Sequence, residues 1–575
     1  MLLSNVLRAG DSRDKLVPVS SGFKPTHVFA LILLLIPSAA FLWRNSDLPQ
    51  FGDIHDDSVY YVSAKSLASG SYRIESLPTQ PFQTKYPPLY PLLLSIAWRA
   101  DSRFPQNLPI AAWLSWLALP AMLAFLIVLY PRLGMTGWRK WLLLTLLAVN
   151  PYVILFSATL LSELWFTALL AAALLLAERA AEADSPVAWA AAAGVVGGLA
   201  YLTRSAGIVL LASGVLYFWL RHRRAQAIAF GAAMLPFVAG WMLWARLHQV
   251  HTDDISLVYY TDYFRYEVYN FSFKTLHLFL WKNLDGLVSS LGYLVLPNVT
   301  SSLFMKIMAE VLGVGMISGI VRMVRRGRAV HYAIFAAGAA FMLVIWHFPP
   351  NERFVLPLVP LAFAGLLTEM EHFMGMARGG LKHREVSQRV ASVVMIGFVA
   401  VMFIVAFGLQ AYVGGDFLGA TAQQQRLRNI DHRGAYAWIR ANLPPGAALI
   451  AYNDPVLYLY TGRRAISRPL PPYIWYTEDR EGAVNLYRDL DVYARAHGAG
   501  YVYYTTADLR RDMGDNDTTS IEDAIRANPG FTVIYQQGIG TIYRVDVADR
   551  DRPKTAYTTA PAATITNPGQ VVAGR

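Results

Sequence analysis

Apolar residues along this chain run in blocks of about 17 to 24, the length an α-helix needs to cross roughly 30 Å of hydrocarbon. The blocks lie near 27–43, 108–130, 141–160, 162–180, 187–203, 206–220, 225–246, 303–321, 329–347, 353–372 and 390–412. They are too long and too evenly apolar for half-buried strands, which would alternate every second residue. Inside lipid only helices and closed barrels satisfy every backbone group, so the pattern predicts about 11 membrane-spanning helices. One further run, 89–98, is too short to cross and is broken by Pro91. It predicts a re-entrant or surface-lying helix.

The pattern changes beyond residue 413. Residues 431–442 predict a helix stopped by Leu443-Pro444-Pro445-Gly446, and 481–497 predict a second helix stopped by Gly498. Short runs at 448–452, 501–504, 531–535 and 541–545 have strand character. Strands alternating with helices predict a small α/β domain over 414–548. The Thr-, Ala- and Pro-rich stretch 549–575 predicts a disordered tail.

Composition agrees with the membrane reading. The chain is 55% hydrophobic and 15% charged, with mean hydropathy +0.34, whereas soluble domains carry about 25% charged residues. A net charge of +11 would suit a nucleic-acid partner if it formed one patch, but it does not. It gathers in short loops between apolar blocks: Arg132, Arg139 and Lys140; Arg221, Arg223 and Arg224; Arg322, Arg325, Arg326 and Arg328; Arg378, Lys382, Arg384 and Arg389. Such loops mark the cytoplasmic side, so no nucleic acid is expected. Arg8, Arg13, Lys15 and Lys24 precede the first block. That block is expected to be a retained anchor behind a cytoplasmic segment, 1–26, with a cleaved signal peptide as the alternative. Counting 89–98 as a span would place the Arg132–Arg139–Lys140 loop outside, so the charge rule itself selects the non-crossing reading. The C-terminal domain then falls outside, as do the loops 44–107 and 247–302, and the membrane domain covers 27–413. Without cysteine, disulfides and thiolate zinc sites are excluded.

Candidate chemistry collects on the outer side. Asp56 and Asp57 precede a short amphipathic helix marked by Tyr60, Ala64, Leu67 and Ala68 and stopped at Gly70. Either carboxylate could cap that helix or act as a base. Lys85 leads into Pro87-Pro88 at the far end of the same loop. Glu163, Arg204 and Arg353 sit at span ends on the same side, where ionisable groups mark function; alone, each could also be a helix-end or snorkelling residue. Together they suggest a carboxylate base beside cations that receive an anionic lipid head group. Lys306 and Glu310 lie inside a span at a spacing that lets them pair. His55 and the group His248, His251, Asp253 and Asp254 are metal-ligating types, but their spacing matches no metal motif. Tyr259, Tyr260, Tyr263, Tyr266 and Tyr269 suit either a headgroup belt or sugar stacking.

These residues carry a resemblance. Asp56-Asp57 with Tyr60 and Tyr61, the run from Ala64 to Gly70, and Lys85-Tyr86-Pro87-Pro88-Leu89-Tyr90-Pro91 resemble the first outer loop of GT-C glycosyltransferases. The similarity is to the protein mannosyltransferase and aminoarabinose transferase group, including its RgtA/B/C/D-like branch. Ser162-Glu163, Gly198 to Arg204, and Asn351-Glu352-Arg353-Phe354 with Pro357 and Pro360 resemble later segments of that family. Tyr436 to Ile439 and Tyr458 to Arg463 resemble its soluble domain. The resemblance implies transfer of a sugar from a polyprenyl-phosphate donor, outside the cytoplasm, in a bacterial inner (plasma) membrane. The acceptor would be a lipid-linked glycan, a lipid or a protein. Asp56 matches the family's base and Asp57 its acidic neighbour; from charge placement, Asp57, Lys85, Glu163, Arg204 and Arg353 are expected to bind the donor. Thr84 stands where some relatives carry a glutamate that helps bind metal, so no cofactor is expected, a divalent metal being the alternative.

The sequence thus predicts a polytopic α-helical membrane protein, GT-C-like, with an extracytoplasmic α/β domain, acting as an inverting glycosyltransferase with Asp56 as base. A multispan transporter or lipid-handling protein without covalent chemistry is the rival, although polar groups here collect at one face rather than mid-bilayer. A scaffold that binds proteins through its C-terminal domain is a third reading.

Overall fold

A computed structural model describes residues 24–182, 185–267, 276–300, 302–346, 348–381, 385–505, 508 and 515–546. Among them, eight helices are long and apolar enough to cross a membrane: Pro25–Arg44, Leu108–Arg132, Glu163–Ala181, Pro186–Thr203, Arg224–His248, Leu303–Arg325, Glu352–Leu381 and Val386–Asn442. The chain is a multi-pass α-helical membrane protein. Trp138–Val149 and Pro151–Ser157 form a ninth candidate bent by 58°, and Ser205–Leu220 and Val330–Val344 are shorter apolar helices. Every block expected from hydropathy falls on one of these, but eight alone meet the crossing length unaided. The bend is set locally: Asn150 accepts the amide hydrogens of Tyr152 and Val153 at 3.1 and 3.3 Å, with Pro151 opening the next helix. The tail 549–575, most of segment 1–26, Lys382, Arg384 and Tyr269 lie outside the described residues.

The short helix expected at 89–98 is Leu89–Ala100, and it is not among the candidate spans. Tyr90 bonds Ser115 at 3.0 Å, and the Trp98 indole donates to the Tyr61 carbonyl at 3.1 Å, which ties it to its neighbours. The acidic pair opens the helix Asp56–Ala68. It was expected to be amphipathic, yet nearly all of 57–66 is buried, because Leu89–Ala100 packs on one side and the C-terminal domain on the other. Lys65 donates to the Tyr458 hydroxyl at 2.9 Å across that second contact.

The C-terminal domain holds one mixed sheet. Its strands are β1 (Ala448–Ala451), β2 (Arg464–Ile466), β3 (Tyr501–Thr505), β4 (Phe531–Gln537) and β5 (Gly540–Val545), in the order β2-β1-β3-β5-β4. β2, β1 and β3 run parallel, whereas β4 and β5 form an antiparallel hairpin beside β3. Side chains alternate between faces as a pleat requires. Leu449, Ala451, Tyr503 and Ile542 pack with Tyr436 and Ile439, whereas Ile450, Val502, Tyr504 and Tyr543 pack with Tyr487, Ile521 and Ile525. The helix expected at 481–497 breaks at Asp489 into Arg480–Arg488 and Leu490–Ala496.

The last span does not stop at the membrane. Val386–Asn442 is a continuous helical run of 57 residues with a π turn at Val413–Phe417. Beyond that turn it lies along the first loop: Gln425 reaches Asp53 at 2.5 Å, Arg426 reaches Asp47 at 2.7 Å, and Asn429 reaches the Pro49 carbonyl at 2.8 Å.

Candidate active site

Adjacent residues on a helix point about 100° apart, and this separates the acidic pair. Asp57, expected to bind the donor, instead turns back into its own loop. Its two oxygens accept the Gly52 and Ser58 amides at 2.9 and 2.6 Å, and the residue is fully buried. Gly52 has φ +95°, and a Cβ there would stand 2.6 Å from Asn453 and Val456. The loop therefore needs glycine where the C-terminal domain presses on it. His55, at φ +63°, is the N-cap residue, so neither aspartate occupies the capping position.

Asp56 faces the bundle. One oxygen accepts from the Tyr86 hydroxyl, and the other is 2.5 Å from Arg353 Nη2. The same guanidinium donates through Nε to Glu163. Glu163 also holds Arg204 Nη1 at 2.9 Å. Four residues from four separated segments thus form one chain of charges at one end of the bundle. Glu163 is 1% exposed, Arg353 9%, and Asp56 20%, so Asp56 is the carboxylate open to a ligand. Burial alone would raise the Asp56 pKa, but the Arg353 and Lys85 charges and the Tyr86 hydrogen bond outweigh it and hold this carboxyl well below its usual range. Asp57 behaves oppositely. Burial pushes it up to about 7 despite its two backbone bonds, with Asp53 and Asp56 adding repulsion.

Asp57 therefore links stability to pH. Well below pH 4 it is protonated in both states; between about pH 4 and about pH 7 the folded state keeps the proton and unfolding releases it. Stability then falls with rising pH by up to about 1.4 kcal/mol per pH unit, and levels off above about 7. Asp57→Asn should flatten this slope in thermal melts between pH 4.5 and 8, an effect that a fully ionised Asp57 would not produce.

Lys85 completes the cations. Its ammonium lies 3.3 Å from the Tyr259 ring centroid and 5.0 Å from that of Tyr86. The Gln83 side chain accepts the Lys85 and Tyr86 amides at 3.0 and 3.2 Å and so shapes this turn. Thr84 donates to the Thr261 carbonyl at 2.8 Å. Three cations (Arg353, Arg204, Lys85) and two carboxylates (Asp56, Glu163) therefore meet at this end of the bundle.

Several contributors were not legible as such. Tyr86 was seen only as part of a motif. Tyr60 supports the cluster from below through Ser162 Oγ at 3.0 Å. Asp454 comes from the C-terminal domain: fully buried, it accepts the Tyr260 hydroxyl at 2.6 Å, with His55 Nε2 at 3.4 Å. His55 is also 2.9 Å from that hydroxyl. Of the tyrosines read as a headgroup belt or a sugar-stacking surface, Tyr260 and Tyr266 turn inward. Tyr260 is fully buried, and Tyr259 stacks edge-on against Tyr266 at 5.0 Å.

The metal-ligating types are dispersed. His248 stacks on Trp244, Asp253 pairs with Arg265 at 2.5 Å, and Asp254 caps Ile255–Thr261 and meets His497 at 2.9 Å. Among the described residues no three His, Asp or Glu side chains are grouped to hold a metal. Lys306 lies nearer Asp285, at 2.8 Å, than Glu310, at 3.7 Å.

No family model matches the sequence, and no curated protein does. Among solved structures the chain is similar to the crystal structure of ArnT from Cupriavidus metallidurans bound to undecaprenyl phosphate, at 15% identity and TM-score 0.46, over 90% of this chain and 99% of that one. It is also similar to the archaeal oligosaccharyltransferase AglB from Archaeoglobus fulgidus in complex with an inhibitory peptide and a dolichol-phosphate, at 14% identity and TM-score 0.45, over 92% and 75%. At such identities and scores, the chemistry of the site rests on its own geometry.

Proposed function

We propose that this chain is an integral-membrane glycosyltransferase that moves a sugar from a polyprenyl-phosphate carrier to an acceptor hydroxyl. The observation that carries this reading is the partly open, ionised Asp56 set among Arg353, Arg204 and Lys85. The sequence resemblance to polyprenyl-phosphate-dependent transferases supports the same reading. The basic loops favour this end of the bundle lying outside the cytoplasm, with the N-terminus inside and the domain at 414–548 outside, and the resemblance favours a bacterial inner membrane.

The reaction is one in-line displacement. The acceptor oxygen bonds to the anomeric carbon as the bond from that carbon to the phosphate oxygen breaks, so configuration inverts. The acceptor proton passes to Asp56. The leaving phosphate gains a negative charge, which Arg353, Arg204 and Lys85 stabilise. In the resting site both Asp56 oxygens are engaged, by Tyr86 and Arg353, and a carboxylate held this way is a poor base. An arriving donor phosphate competes for Arg353, which frees one oxygen and raises the basicity of Asp56 when it is needed. Glu163 acts by aiming both arginines, and Asp57 by holding the loop.

The test follows label from polyprenyl-phosphate sugars in membranes containing the protein. Label should move into a glycan, lipid or protein fraction as free polyprenyl phosphate appears. Movement of intact donor across the bilayer without transfer would establish the transporter instead.

A further inference from the structure

At the other end of the bundle, three of the basic residues that mark topology converge on a cavity. It encloses about 250 Å³ between Arg139, Arg326 and Arg328, with Thr368 and Glu371 on its wall. A second space of about 470 Å³ shares Arg326, Thr368 and Glu371 with it and extends to Met376. Thr368 follows Arg353 by 15 positions in one helical run, Glu352–Leu381, which places it about 22 Å away along the axis at 1.5 Å per residue. This cavity is therefore separate from the proposed active site.

Its charges do not balance. Glu371 is 2.6 Å from Arg139 and is thereby neutralised. Arg326 and Arg328 have no carboxylate partner among the described residues. The neighbouring Arg322 is already matched by two hydrogen bonds to Glu369, at 3.0 and 3.1 Å. Arg328 is also seated. Gly134 has φ +85°, and a Cβ there would lie 2.6 Å from Arg328 Cδ and 2.8 Å from Nη1, so the guanidinium rests on a bare backbone. Beside Arg326 the lining is apolar and exposed at Met376, which is 47% accessible. Unpaired guanidinium groups next to an exposed apolar side chain at a helix-bundle rim match an amphiphile with an anionic head.

We propose that Arg326 and Arg328 bind the phosphate of an anionic phospholipid headgroup in the cavity, with an acyl chain lying against Met376. The basic loops make this the cytoplasmic end, whose leaflet carries anionic lipid, and basic pockets between helices at that surface bind such head groups. Guanidinium forks suit phosphate oxygens. The site does not depend on the catalytic reading.

The test is native mass spectrometry of the full chain in detergent with added phosphatidylglycerol, and with zwitterionic phosphatidylethanolamine for comparison. Phosphatidylglycerol should be retained in preference. Arg326→Gln with Arg328→Gln should weaken its binding by about thirtyfold, at roughly fivefold per arginine. The control, Arg221→Gln with Arg224→Gln, removes the same charge from another basic loop and should leave binding unchanged. If inorganic phosphate at millimolar concentration displaces the lipid and raises the melting temperature by itself, the phosphate site stands and its occupant is a soluble anion. Equal lipid binding by wild type and the cavity variant, or equal loss in the control, overturns the proposal. Should the double variant misfold, Arg326→Gln alone gives a fivefold change on the same scale.

Discussion

Asp56→Asn is expected to lower sugar transfer by about 10²–10⁴-fold, the usual contribution of a positioned base, in protein that still inserts and folds. Asparagine keeps the size of the side chain and can still accept from the Tyr86 hydroxyl. It cannot take a proton from an acceptor hydroxyl. Arg353 retains Glu163 as a partner, so the guanidinium is not left unpaired. Initial rates at saturating donor should show the loss in kcat, with melting temperature changed little. Asp57→Asn provides the internal comparison, because its carboxylate faces Gly52 and Ser58 rather than the cations. A drop of the same size for both variants would mean that the loop, not a base, had been disrupted. Unchanged transfer by Asp56→Asn would remove this residue from the chemistry.

Arg353→Gln should do more damage and of a different kind. Arg353 bridges Asp56 and Glu163, and its removal strands two carboxylates in a buried place with Arg204, Lys85 and Tyr86 to compensate. Breaking a buried ion pair on one side typically costs about 3–5 kcal/mol, so a lower melting temperature should accompany lost transfer. Adding Glu163→Gln separates the two effects. The double variant removes one of the two stranded charges and should recover part of the stability, a coupling of about 0.5–3 kcal/mol. Transfer should not return, because the leaving phosphate would still lack its guanidinium. Strictly additive melting shifts would show that Arg353 and Glu163 do not act as a pair.

The convergence of Asp56, Glu163, Arg204 and Arg353 was legible because topology does much of the work. Once basic loops assign the sides, ionisable residues at span ends fall together or apart, and here they fall together. Hydropathy does not carry the angular detail. Whether Asp56 or Asp57 faces the cations depends on the left-handed turn at His55 and the phase of the helix that follows, neither of which leaves a compositional trace. Asp454 was invisible for a different reason. Asn453-Asp454-Pro455 looks like any helix start, and its partner His55 is 399 residues away in the chain. Lys306 shows the same limit on a smaller scale: it does pair with Glu310 at i,i+4, but Asp285, which reaches it from a neighbouring helix, lies closer. That helix, Leu276–Tyr293, was missed because Lys282 and Asp285 interrupt its apolar run. β2 has three residues, too few for a periodic signal.

The continuous helix from Val386 to Asn442 has a mechanical consequence. At 1.5 Å per residue, 57 residues make a rod about 85 Å long, of which roughly 30 Å lies in hydrocarbon. A flexible tether would let the outer domain drift and tolerate added or deleted residues. A rod behaves as a spline: each inserted residue turns everything beyond it by about 100° and lifts it 1.5 Å. The teeth of that spline are Gln425, Arg426 and Asn429, which mesh with Asp53, Asp47 and Pro49 on the loop that carries Asp56. The π turn at Val413–Phe417 is a wider turn within the shaft, and it sets the angle at which those teeth arrive. Rotational phase, more than length, thus keys the outer domain to the membrane bundle.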